Sequence, residues 1–159
     1  MGSKGFKITV RSLDMFFMHL ALKQARRAFE LGEVPIGCVI TRNGKIIAQA
    51  ANERATRGNA LCHAEILAIS QACEKIKDWR LENCRIYVTI EPCPMCAGAI
   101  IQARIPVVVY GAKNPKAGCA GSILNILEEP RFNHQARVVS GVREQECADI
   151  MREFFARFR

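Results

Sequence analysis

The sequence predicts an α/β domain on a five-stranded mixed sheet, opening with an antiparallel hairpin and ending in parallel strands. Three observations carry that expectation. Ile36 to Thr41 and Ile46 to Ala51 are β-prone runs joined by Asn43-Gly44, the dipeptide favoured in a type I′ hairpin turn. Downstream, apolar strand-like runs alternate with stretches of helical period, as in parallel strands linked by helices. With 159 residues, half of them hydrophobic, the chain can bury one good core, so one domain is expected.

Taken in order, Leu13, Phe16, Phe17, Leu20, Ala21, Ala28 and Leu31 recur at helical spacing, with Asp14 near the start and Gly32 as a stop. This places a first helix over Leu13 to Leu31. Residues 1–12 are read as an N-terminal extension, its Gly2-Ser3 resembling an expression remnant, and residues 13–159 as the single domain. His19, Lys23, Arg26 and Arg27 form a solvated face with no assigned role. After the hairpin, the polar loop Asn52 to Asn59 leads to a helix whose apolar side is Ile66, Leu67, Ile69, Ala72, Cys73 and Ile76.

Arg85 to Ile90 reads as a buried strand that runs directly into a helix from Pro94 to about Ala103, and Pro106 to Tyr110 as a second strand covered on both faces. Ser122 to Leu127 looks helical, and a crossover of that length favours a last strand, Arg137 to Ser140, parallel to its neighbour, with a tight antiparallel return as the alternative. The tail from Glu144 to Arg159 is an amphipathic helix, with Cys147, Ile150, Met151, Phe154, Phe155 and Phe158 on its apolar side.

Composition bounds the setting. No stretch approaches the roughly 20 apolar residues of a membrane span, and the N-terminus carries nothing like a signal peptide. Cys38, Cys73, Cys84 and Cys147 sit in apolar-periodic stretches, so the eight cysteines point to a reducing cytoplasm rather than to disulfides. A net charge of +8 permits a polyanionic partner without establishing one.

The chemistry concentrates in Cys62-His63-Ala64-Glu65 and Glu91-Pro92-Cys93-Pro94-Met95-Cys96. A catalytic zinc takes three imidazole or thiolate ligands and keeps its fourth position for water. His63, Cys93 and Cys96 make three. Cys93 and Cys96, three apart at a helix start opened by proline, present both sulfurs on one face, where the helix end favours thiolates. Glu65 lies too close to His63 to complete the tetrahedron and is free to carry protons. Cys62 remains open as a fourth ligand of a structural site, with core packing the alternative.

His-x-Glu followed by Pro-Cys-x-x-Cys resembles the signature of zinc nucleobase deaminases. The likeness extends to Glu33-Val34-Pro35-Ile36-Gly37, Asn52, Ala97-Gly98-Ala99, Gly111-Ala112-Lys113, Ala120-Gly121-Ser122, Asn133-His134 and Phe154-Phe155. Together these resemble bacterial tRNA-specific adenosine deaminase over about residues 13 to 159. The resemblance implies a three-layer α/β/α cytidine deaminase-like fold, a homodimer, one zinc per chain, and conversion of adenosine to inosine at the wobble position of a tRNA anticodon. It also implies His63, Cys93 and Cys96 as zinc ligands, and zinc hydroxide attack on C6 with Glu65 as proton shuttle. Asn52 falls where the family meets the flipped purine. Lys113, Asn114, Lys116, Asn133, His134 and Phe155 fall where it holds the anticodon stem-loop.

Many relatives carry Asp where this chain has Asn114. An Asp repels the phosphate backbone unless it accepts a hydrogen bond, for instance from a ribose 2′-hydroxyl, and so helps select RNA; Asn keeps the acceptor and loses the repulsion, which predicts better tolerance of single-stranded DNA. Two other readings use the same residues: a deaminase of a free base or nucleoside, of guanine or cytosine type, and a non-catalytic RNA-binding module with structural zinc.

Overall fold

The computed structural model describes residues 8–157. Helix α1 (Val10–Glu30) leads into the hairpin β1 (Gly37–Arg42) and β2 (Lys45–Ala51). Then follow α2 (Ala64–Ile76), β3 (Cys84–Ile90), α3 (Pro94–Gln102), β4 (Val107–Ala112), β5 (Arg137–Val139) and α4 (Glu144–Arg157). The five strands form one sheet in the order β2-β1-β3-β4-β5. β1 is antiparallel to β2 and β3, whereas β3, β4 and β5 run parallel. Both hairpin residues have positive φ, 52° at Asn43 and 73° at Gly44, which is what a type I′ turn requires.

Side-chain alternation along the central strands builds three layers. Cys38, Ile40, Ile86, Val88, Val108 and Tyr110 face a core shared with α2 and α3. Their neighbours Val39, Tyr87 and Val109 face the opposite layer of α1 and α4. Strands covered on both sides read as continuous apolar runs, which is why they were visible in the sequence.

Four details depart from the sequence reading. Helix α1 begins at Val10 because Thr9 and Ser12 exchange side-chain to backbone hydrogen bonds in a capping box, a signal upstream of the apolar period. Leu13, Phe16 and Leu31 are exposed, and Asp14 is buried. Its Oδ1 accepts from Arg85 Nη2 and from the Tyr87 hydroxyl, both at 2.9 Å, so Asp14 ties α1 to β3 instead of serving the helix dipole.

The core side of α2 consists of Ala64, Ala68 and Ala72, with Ile66, Leu67, Ile69, Cys73 and Ile76 only half-buried. Small residues let the helix lie close on the sheet. Finally, Ser122 to Leu127 is not helical. Ala120 and Asn125 form an isolated antiparallel bridge, and the Ala120 and Ser122 amides donate to the Glu91 carboxylate rather than to a helical ladder. Phe158 and Arg159, expected in the last helix, lie outside the described residues.

One close approach sets the start of β1. A Cβ on Gly37 would stand 1.9 Å from the Ala21 carbonyl oxygen and 2.4 Å from the Ala25 nitrogen, both in the α1 backbone. Neither can yield without moving the helix. Gly37→Ala is therefore expected to destabilise the fold by at least about 2 kcal/mol. A urea midpoint equal to that of the wild type would show that α1 shifts freely.

Candidate active site

The site forms where α2 and α3 begin, at the carboxyl ends of the parallel strands, where α/β sheets commonly place their ligands. His63 is the N-cap residue of α2 and Cys93 that of α3, each in extended backbone, and Pro94 supplies the first helical position after Cys93. Cys96 follows in the same turn. His63 Nδ1 lies 3.7 Å from Cys93 Sγ and 3.5 Å from Cys96 Sγ. The three ligand atoms fall within 4.8 Å of one another, a group able to hold a metal ion. Among the described residues no fourth ligand joins them, and Cys62 is buried outside the group.

The electrostatics suit a cation. A hydrogen bond from the Cys96 thiol brings the Cys93 thiol down to about 4 against the opposing effect of burial, with His63 and the Cys96 amide lowering it further. Cys96 is fully buried, and its thiol is pushed up by the hydrogen bond to Cys93 and by desolvation. These contacts favour the thiolate form of Cys93, the form that binds metal. Glu65, in the first turn of α2, is 3 % exposed. Burial pushes its carboxyl up to about 7, the neighbouring Cys93 adds to the rise, and a backbone hydrogen bond opposes both. Its Oε2 is buried without a hydrogen-bond partner among the described residues. A buried oxygen left unpaired is costly, which is the mark of a group kept for a ligand.

A small cavity of about 70 Å³ is lined by Val34, Ile36, Asn52, Arg54, His63 and Glu65 among others. It has room for about two waters rather than a purine ring. Asn52 Nδ2 donates to the Val34 carbonyl at 3.1 Å, and its Oδ1 accepts from the Arg54 amide at 3.2 Å. Each end of that amide keeps capacity for one more bond.

Two contributors were missed in the sequence. Arg54 brings a cation to the cavity. Buried Glu33 accepts from the Ala55 and Thr56 amides and the Thr56 hydroxyl, fixing the loop that carries Arg54. Burial alone would raise the Glu33 pKa, but these hydrogen bonds and the Arg54 charge bring it below the usual value. The available signal was Glu33 preceding Val34-Pro35, a charged residue heading an apolar strand.

The remaining expected contacts divide. Lys113, Asn114 and Lys116 follow β4 on the metal side, since Ala112 pairs with Ile90 and its carbonyl accepts from the Glu91 amide. Both lysines are exposed. Asn114 Oδ1 accepts from the Ala117 amide at 3.1 Å, forming a turn that Asp would form equally well. Phe155 is 47 % exposed and packs edge-on against Phe154, which belongs to a cluster touching Val34 of the cavity wall. By contrast, His134 Nε2 is 2.8 Å from the Ile105 carbonyl, ahead of β4. Asn133 and His134 thus lie at the amino ends of the strands, a strand length of about 20 Å from the ligand turn, and the structure does not bring them to the metal group.

Comparison with known proteins gives the arrangement a family. The profile of the MafB19-like deaminase family matches residues 13–159. A tRNA-specific adenosine deaminase of Bacillus subtilis (strain 168) is 52 % identical over 146 residues, covering 92 % of this chain and 91 % of the relative. Among solved structures, one from a study of A-to-I editing by tRNA:A34 deaminases at the wobble position is 44 % identical with a TM-score of 0.82. It covers 85 % of this chain and 98 % of its own. Guanine deaminase from Bacillus subtilis is 38 % identical with a TM-score of 0.61, covering 67 % of this chain and 68 % of its own. By sequence and structure alike, this chain belongs to the bacterial tRNA-specific adenosine deaminases, within the MafB19-like deaminase family.

Proposed function

We propose that this protein deaminates adenosine to inosine at the wobble position of a tRNA anticodon, with one zinc ion per chain held by His63, Cys93 and Cys96. The observation that carries the chemistry is the buried, unpartnered Oε2 of Glu65 beside a three-ligand group. Zinc would supply the Lewis acidity that makes water a nucleophile at neutral pH. Glu65 carries the first proton of that water to the purine N1 and, as the C6 hydroxyl becomes the carbonyl of inosine, carries the second to the amine, which departs as ammonia. Asn52 orients the base with the donor and acceptor capacity left on its amide. Lys113 and Lys116 attract the phosphate backbone of the anticodon loop, and Phe155 offers an aromatic face to a neighbouring base.

The resemblance to the deaminases supports a homodimer, as does the half-buried apolar surface of Ile66, Leu67, Ile69 and Cys73 on α2, with exposed Leu61 preceding it. Sedimentation equilibrium tests it. Among the described residues no helix is long and apolar enough to cross a membrane, and the proposed tRNA substrate supports a cytoplasmic enzyme.

The test is to incubate zinc-loaded protein with an anticodon stem-loop RNA carrying wobble adenosine, beside a panel of free bases and nucleosides. Inosine in the RNA alone is expected. Activity confined to guanine, cytosine or a free nucleoside would keep the site chemistry and overturn the RNA substrate. Bound zinc with no activity would favour the non-catalytic module.

Asn114 gives a narrower prediction. Because Asp preserves the turn to Ala117, Asn114→Asp should leave the melting temperature unchanged. It should lower activity on a DNA hairpin relative to the matched RNA, because the new charge repels phosphate unless a ribose 2′-hydroxyl donates a hydrogen bond to it. An unchanged RNA-to-DNA ratio removes Asn114 from substrate selection.

A further inference from the structure

We infer that Glu91 is a positioning residue that locks the loop from Lys113 to Ser122 onto the metal-binding turn and thereby sets how tightly RNA is held; its kinetic consequence rests on the RNA-deaminating reading above. Glu91 is only 1 % exposed, and among the described residues no cation pairs with its carboxylate. Four donors converge on it instead. Oε1 accepts from the Asn114 amide at 3.2 Å and the Ser122 hydroxyl at 2.5 Å. Oε2 accepts from the Ala120 and Ser122 amides, both at 3.0 Å.

The backbone beside it closes the same contact. The Glu91 amide donates to the Ala112 carbonyl at 2.9 Å, and the Pro92 carbonyl accepts from the Cys119 amide at 2.8 Å. Residues 91 and 92 therefore grip the loop at its start, its middle and its end, and the next residue is Cys93. The position of Lys113, Asn114 and Lys116 is keyed to the metal-binding turn through two residues.

The residue type follows from this geometry. A buried carboxylate without a counter-charge is tolerated only when its lone pairs are used, and here the loop amides use them. Glutamine would aim its amino group at amide donors, and aspartate would be one methylene short of the far side of the loop. The fit is also close from the loop side. A Cβ on Gly118 would stand 2.4 Å from Glu91 Cδ and 2.5 Å from the Asn114 carbonyl oxygen. Apart from the single bridge between Ala120 and Asn125, the segment has no regular structure that could hold it in place.

Two variants of the full, zinc-loaded chain test the assignment from opposite sides. Glu91→Gln spoils the acceptor, and Gly118→Ala pushes the loop off an intact carboxylate; Ser122→Ala, losing one donor, gives a milder case. In both main variants the KM for the anticodon stem-loop should rise about tenfold or more, kcat should fall by less than about threefold, and zinc content should stay at the wild-type value. Hydrogen exchange at the Asn114, Ala120 and Ser122 amides, measured without RNA, should quicken about tenfold or more. Unchanged exchange overturns the inference, and so does faster exchange with an unchanged KM, or a loss confined to kcat. A wild-type protein that makes no inosine would overturn the RNA reading, and the exchange result would then decide the positioning role alone.

Discussion

Glu65→Ala is expected to lower inosine formation by about a hundred- to ten-thousandfold, the range general acid–base catalysis supplies, while the protein keeps its zinc and its melting temperature. The two halves of that expectation come from one geometric fact. Glu65 lies in the first turn of α2 and its carboxylate is buried in the cavity wall, yet Oε2 has no hydrogen-bond partner among the described residues. An unpaired buried oxygen works against folding, by about 1–3 kcal/mol in typical cases. Its removal should leave stability unchanged or slightly improved, whereas a carboxylate kept for structure would show a loss. Catalysis should respond the other way, because burial holds this group near the pH at which it can both accept and give a proton. Glu65→Gln separates charge from shape: it fills the same space and should be as inactive as Glu65→Ala. Inosine yield, metal content and melting temperature measured together decide the matter. Turnover within about tenfold of the wild type would remove Glu65 from proton transfer.

The sequence made the metal group legible because its chemistry is local. Each ligand is the N-cap or first-turn residue of a helix, and Pro94 marks one of those helix starts directly. The sheet was legible for a related reason, since Asn43-Gly44 encodes its turn in two residues and the buried strands are apolar throughout. What escaped depends on partners distant in the chain. Asp14 reads as a helix-start residue until β3 brings Arg85 and Tyr87 against it. Ser122 to Leu127 has helical spacing, but Glu91, some thirty residues earlier, takes the Ser122 amide. His134, grouped with the substrate contacts by its motif, is committed to the Ile105 carbonyl at the far end of the sheet. In each case a polar side chain chose between a local and a remote partner. Periodicity carries no information about that choice.

Removing the metal should have the second large effect, and the two cysteines should report it differently. Cys93 is half-buried at the lip of the site, whereas Cys96 is fully buried beneath it. Either substitution to alanine leaves two protein ligands, too few to hold zinc as a catalytic site does. Both variants should lose bound zinc and inosine formation. Zinc that binds the folded chain alone stabilises it by mass action, so a chelator should lower the wild-type melting temperature. Cys93→Ala, which removes little packing, should melt where the chelated wild type melts, and chelator should not change it further. Cys96→Ala also leaves a gap in the buried interior beside His63 and Glu65, and should melt lower still, by the equivalent of about 1–2 kcal/mol. This ordering distinguishes a ligand from a packing residue, because a purely structural Cys96 would destabilise the fold while leaving zinc content intact. Full zinc occupancy in either variant would show that the three-ligand assignment is wrong. Equal melting temperatures for the two variants would show instead that burial of Cys96 adds nothing beyond its sulfur at the metal.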